Sequence, residues 1–238
     1  MELVAANSDR WSGRNAFFAY YNSTIGKKYI MAFTGVGLFG FVLIHMLGNL
    51  QMFLGREAVN GYAHFIKSRP SLLWGSRLAL LCIFVLHIVT AIQLVRRNRT
   101  ARPNRYAEGK PFKASFASRT LIMSGLIILA FVVYHLMHFT FGTIDPSFLQ
   151  LKDANNHHDV YTMTLLGFRR PAVSAFYIAS MALLCLHLSH GVSSSFQSLG
   201  LKNRSTEVLI DRVSKFFAVV VFLGNSSMPL AVLAGIVR

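Results

Sequence analysis

Acidic residues are scarce in this chain: nine Asp and Glu stand against 24 Lys and Arg in 238 residues, for a formal net charge of +15. Charged residues of both signs make up only 14% of the sequence while 53% is hydrophobic, which excludes an ordinary soluble domain and indicates an integral membrane protein. Cysteine is nearly absent. Cys82 and Cys185 both fall inside long apolar runs, which excludes a secreted disulfide framework and a thiolate zinc site. No C-x-x-C-H occurs either, so thioether attachment of a cofactor is excluded.

What fills the sequence instead is apolar length. Uncharged runs at Tyr29 to Gly55, Leu78 to Val95, Thr120 to Ile144, Pro171 to Leu201 and Phe216 to Val237 each reach the roughly 18 residues of a candidate spanning helix. None shows the ten-residue alternation of a barrel strand. The expectation is an all-α membrane protein, one domain over residues 1–238, with five transmembrane helices at about 28–54, 73–96, 118–143, 171–200 and 213–237. The first run follows a polar segment and lacks small flanking residues, so it reads as a retained helix rather than a cleaved signal.

The basic residues cluster on alternate loops. Arg10, Arg14, Lys27 and Lys28 precede the first span, eight more lie from Arg96 to Arg119, and Lys202, Arg204, Arg212 and Lys215 separate the last two spans. This asymmetry accounts for the charge as membrane orientation rather than nucleic-acid binding. It places the N-terminus in the cytoplasm and the C-terminus outside. Ahead of the first span, WSGRNAFFAYYNSTIGKK has the aromatic and basic mixture of an interfacial segment. REAVNGYAHFIKSRP reads as a short outer-face helix ending before Pro70, which brings Glu57, Asn60, Tyr62 and His64 to the membrane surface. The stretch Arg96 to Arg119 reads as an irregular basic loop suited to an acidic partner, and Thr143 to Arg170 as a loop exposing His157 and His158.

Six histidines fall inside the apolar runs: His45, His87, His135, His138, His187 and His190. Imidazoles at membrane depth must bond another helix, line a cavity or bind something. At 1.5 Å per residue, His45 lies about 25 Å from Lys28 and His135 about 24 Å from Arg119, near the outer face. His87 lies about 13 Å from Arg96 and His187 about 15 Å from Gln197, nearer the inner face. Two levels of paired imidazoles, His45 with His135 and His87 with His187, suggest two stacked haems with one imidazole from each of two helices on each iron. Interhelical hydrogen bonding is the competing reading. Zinc would require more ligands converging at one level, and a proton relay would ordinarily include Asp or Glu, which the spans lack.

With STIGKKYIMAFTG leading into the first span, LIHMLGNLQMFLG closing it, YHLMHFTFG in the third and HLSHGVSSSFQSLG in the fourth, nearly the whole chain resembles the single-subunit, five-helix di-haem cytochrome b anchor of succinate dehydrogenase and fumarate reductase. The resemblance implies two b-type haems, the outer held by His45 and His135 and the inner by His87 and His187, with His138 and His190 as runner-up ligands. It also implies a flavoprotein subunit and an iron-sulfur subunit as partners, a bacterial cytoplasmic membrane, and a membrane quinone such as menaquinone as electron carrier. Dicarboxylate chemistry would reside in the partner subunits.

Lys28, Arg96, Arg119, Ser194 and Gln197 are candidate propionate partners at the inner level and Arg77 at the outer. Gln51, Glu57, Tyr62 and His64 are candidate quinone contacts at the outer face. The alternatives are a stand-alone di-haem cytochrome b, the anchor of another dehydrogenase, and a haem-free transporter or structural membrane protein.

Overall fold

A computed structural model describes residues 13–101 and 120–238, with side chains from residue 18 onward. It is all-α, and among the described residues the only β feature is an isolated bridge between Lys152 and His158. Among the described residues five helices are long and apolar enough to cross a membrane. In chain order the helices are α1 (Gly13–Asn22), α2 (Thr24–Leu50), α3 (Arg56–Lys67), α4 (Pro70–Ala101), α5 (Leu121–His135), α6 (Val160–Phe168), α7 (Pro171–Ser198) and α8 (Glu207–Leu233). The five spans are α2, α4, α5, α7 and α8. A 3-10 turn, Gln51–Leu54, extends α2, and a π turn, Leu136–Thr140, extends α5.

Local chemistry sets the boundaries. Ser23 has extended backbone and its hydroxyl accepts from the Gly26 amide at 2.9 Å, an N-cap that separates α1 from α2. Gly26 is required there because a Cβ would meet the Tyr20 carbonyl oxygen at 2.1 Å. Pro70 and Pro171 open α4 and α7, where a missing amide hydrogen costs nothing. The spans overrun the expected boundaries: α4 begins at Pro70 and carries Arg96, Arg97 and Arg99 in its last turns, and α8 begins at Glu207 rather than near residue 213. Long basic side chains allow this, since their heads can reach water while their stems stay on the helix.

The spans α2 and α7 are the middle of the bundle. α4 packs on α2, α5 packs on α7, and α8 lies across both α2 and α7, most extensively against α7. By contrast, α2 with α5 and α4 with α7 approach only marginally. Close approach at α2 and α8 depends on Gly224, whose missing Cβ makes room for the Met46 sulfur. Large side chains such as Phe33, Ile44, Leu47, Leu78, Leu81 and Leu126 face outward, as a lipid-facing surface requires.

The two ends of the bundle differ. One carries the start of α2, the ends of α4 and α7 and the start of α8; we call it the basic end, after Lys27, Lys28, Arg96, Arg97, Lys202 and Arg204. The other is covered by α3, a 3-10 turn at Pro146–Gln150 and α6, and is called the capped end. The helix α6 lies where the sequence reads as loop. Asp159 caps it, accepting from the Thr162 amide at 3.0 Å, and the same carboxylate bonds Asn60 at 3.0 Å and pairs with Arg56 of α3. The Asn60 side-chain oxygen Oδ1 in turn accepts from the Tyr161 amide at 3.0 Å, so α3 and α6 are joined as one cap.

Candidate functional site: two levels of paired histidines

The histidine pairs sit across the two poorly packed helix contacts. His45 on α2 faces His135 on α5 with ring centroids 5.8 Å apart and planes at 87°. His87 on α4 and His187 on α7 lie within electrostatic range of each other. Two imidazole nitrogens bound at 2.0–2.1 Å on opposite sides of one metal lie about 4 Å apart with ring centroids about 6 Å apart, close to the His45–His135 centroid separation. Among the described residues no three His, Cys, Asp or Glu side chains gather around a common point.

At the level nearer the basic end, hydrogen bonds fix which nitrogen is free. The Thr34 hydroxyl donates to the Ile30 carbonyl at 2.7 Å, and its oxygen lies 3.0 Å from His87 Nδ1. With that hydrogen on the Ile30 carbonyl, the shorter of its contacts, His87 Nδ1–H is the donor to Thr34. The Nε2 lone pair is thereby left available as a ligand. The arrangement repeats on the other side. Ser124 donates to the Leu121 carbonyl at 3.0 Å and its oxygen lies 3.3 Å from His187 Nδ1, with the Leu121 carbonyl a second acceptor for that ring.

Each supporting hydroxyl is followed by a glycine facing the same imidazole. A Cβ on Gly35 would lie 3.5 Å from His87 Cε1, and one on Gly125 would lie 3.6 Å from His187 Cε1. Thr34-Gly35 and Ser124-Gly125 are thus equivalent devices on α2 and α5, each holding a histidine of the neighbouring span. Sequence reasoning missed both hydroxyls. The available signal was the hydroxyl-glycine dipeptide at similar depth in the first and third spans.

At the level nearer the capped end, His45 stacks on Phe41 at 5.3 Å and His135 packs against Phe131, Phe139 and Tyr177. The Tyr177 oxygen lies 3.3 Å from His135 Nδ1 and 3.1 Å from His138 Nδ1. The π turn at Leu136–Thr140 shifts the helix register so that both imidazoles reach one hydroxyl. His138 itself is 0% exposed and walled by Tyr134, Phe139 and Phe148. His190, the other runner-up, is half-buried and lies toward Lys202 and Asp211 at the basic end.

The remaining candidates are more dispersed. Lys28 is exposed, and it is its neighbour Lys27, 3% exposed, that turns inward to donate to Gln93 Oε1 at 2.5 Å. Arg96 is exposed at the end of α4, Ser194 is half-buried, and Gln197 is exposed beside Lys202, Asn203 and Arg204. Arg77 is exposed with its guanidinium 5.2 Å above the Trp74 ring. Arg119 lies outside the described residues.

At the capped end the four quinone candidates each have their own surroundings. Tyr62 leans on Gly48, where a Cβ would meet its ring at 2.7 Å, whereas His64 stacks on His157 with centroids 3.7 Å apart. Gln51 is half-buried in the 3-10 turn and Glu57 is exposed. The pair expected on an exposed loop is therefore partly enclosed: His157 under His64, and His158 half-buried, its Nε2 3.1 Å from the Phe148 carbonyl. Compared with protein-family models, curated proteins and solved structures, the chain matches none.

Proposed function

We propose that this chain is the membrane-anchor cytochrome b subunit of a succinate:quinone oxidoreductase, holding two b-type haems between an iron-sulfur partner and a membrane quinone. The observation that carries the reading is the donor set: two pairs of imidazoles at two depths, each pair crossing a weakly packed helix contact, with Nδ1 of His87 and His187 engaged so that Nε2 is free. One imidazole from each of two helices at each level would hold a haem there, and the haem would supply electron exchange. Haem iron held between two imidazoles is six-coordinate and exchanges electrons rather than binding oxygen.

In this reading His87 and His187 hold the haem nearer the basic end, and His45 and His135 the one nearer the capped end. Thr34 and Ser124 orient their imidazoles and raise their basicity as ligands. Gly35 and Gly125 keep the space beside those rings free of side chains. The basic end faces the cytoplasm of a bacterium, in accord with the loop charges, and receives the iron-sulfur subunit with its flavoprotein. The quinone, menaquinone in the first instance, exchanges protons with water at the capped end, where Tyr62 covers the backbone three residues beyond His45.

Copurification tests the partnership. A tagged chain should bring down a flavoprotein and an iron-sulfur protein that together oxidise succinate. Charge reversal at Arg97 and Arg99, and at Arg105 outside the described residues, should weaken that assembly and make it more salt-sensitive, because exposed charges are screened over about 8 Å at physiological ionic strength. A haem-loaded chain that purifies alone under all conditions would indicate a stand-alone cytochrome b instead.

A further inference from the structure

The two levels of the site differ in how their ligands are supported. At the basic-end level each supporting hydroxyl donates its hydrogen to a backbone carbonyl of its own helix, so the support is self-contained. Among the described residues Tyr177 reaches no backbone carbonyl in this way. Its hydroxyl meets two imidazole nitrogens, His135 Nδ1 and His138 Nδ1. Resting on the haem reading above, we infer that Tyr177 and His138 are positioning residues for the capped-end haem: His135 Nδ1–H donates to the Tyr177 oxygen, and Tyr177 O–H donates to His138 Nδ1.

The direction follows from proton counting. A His135 that binds iron through Nε2 carries its remaining hydrogen on Nδ1, and the phenol oxygen must accept it. The phenol hydrogen then needs an acceptor, and His138 Nδ1 is 3.1 Å away. His138 is consequently the tautomer with hydrogen on Nε2, and that nitrogen is buried with no partner among the described residues. A buried polar atom left unpaired requires a reason. An apolar side chain would fill this aromatic cage without that cost, and only the acceptor at Nδ1 distinguishes histidine from it. The π turn supplies the register that brings both imidazoles to one oxygen, a local irregularity of the kind often found where function constrains a helix.

The test uses the full-length, haem-loaded protein, with redox titration and low-temperature EPR of both haems. Tyr177→Phe keeps the ring and removes the acceptor, so His135 becomes a weaker donor to ferric iron. The capped-end haem should then titrate at a higher potential while the other is unchanged. His138→Leu should shift the same haem in the same direction by less. His138→Asn, which places an acceptor oxygen where Nδ1 stood, should restore the wild-type value and EPR signal. Unchanged potentials and spectra in both Tyr177→Phe and His138→Leu would overturn the inference while leaving the haem reading intact. Loss of the capped-end haem from His138→Asn would overturn it by making His138 the ligand. A wild-type protein without haem would overturn the underlying reading itself.

Discussion

The Thr34 hydroxyl oxygen joins α2 to α4, lying 3.0 Å from His87 Nδ1 and 2.7 Å from the Ile30 carbonyl of its own helix. Ser124 and His187 repeat the relationship between α5 and α7. One hydroxyl in each case both satisfies a backbone carbonyl and decides the tautomer of an imidazole.

Thr34→Val keeps the side-chain shape and removes that decision. Thr34→Val and Ser124→Ala should each cost about 1 kcal/mol of stability for the lost hydrogen bond. Each should also weaken retention of the basic-end haem by about 10–100-fold, the usual penalty for losing an outer partner of a metal-bound histidine. Competition with a haem scavenger measures this, and equal retention in wild type and both variants would refute the orienting role.

The pairs should behave as units. His87→Ala or His187→Ala should remove the basic-end haem and spare the other, whereas His45→Ala or His135→Ala should do the reverse. Pyridine haemochrome counts with redox titration distinguish the two losses. If His190→Ala rather than His187→Ala lost a haem, the assignment on α7 would be wrong.

Acid should loosen the cap. Burial holds the His158 imidazole below its usual range, with Lys67 and Lys152 adding to the effect and the Phe148 carbonyl opposing it. The Ser147 hydroxyl, with Arg170, lowers the Asp145 carboxyl. Burial alone would raise the Asp159 carboxyl, but bonds from Thr162 and Asn60 together with Arg56 outweigh it and hold it low. All three bind fewer protons folded than unfolded, so stability falls as pH falls. The His158 contribution is lost progressively below about pH 6.5, and the carboxylate contributions begin to go below about pH 4 and are gone once pH passes their lowered folded values. Hydrogen exchange at the amides of α3 and α6 should rise, after correction for intrinsic rates, on acidification through these windows. Protection that stays flat to about pH 3 would contradict this.

Quinone turnover should depend on the capped end. Glu57→Gln and His64→Ala, with both haems retained, should slow quinone reduction and leave succinate oxidation by an artificial acceptor intact in the assembled enzyme. Unchanged quinone turnover, or a quinone bound at the basic end, would move the site there.

The spans and the shared level of His45 and His135 are legible in the sequence because apolar length and a fixed rise per residue are enough to locate them. Other features are set by contacts between distant segments. The stack of His64 on His157 and the Asp159 network join α3 to a stretch whose acids and turn residues read as loop, so α6 is invisible to a hydropathy scan. Nothing in YHLMHFTFG announces a π turn, so His135 and His138 read as near-equivalent neighbours on an α-helix, whereas the turn encloses one and leaves the other facing His45. Lys27 and Lys28 look alike in sequence, and only the position of Gln93 on α4 selects the first to turn inward.

Haem content of the purified chain decides the matter, read as a reduced-minus-oxidised absorption spectrum with a pyridine haemochrome assay against protein concentration. Two non-covalent b-type haems per chain, low-spin in both oxidation states, are the expected result. A chain folded in detergent that shows no haem absorbance when expressed with ample haem would contradict it, and would leave the histidines as interhelical hydrogen-bonding groups.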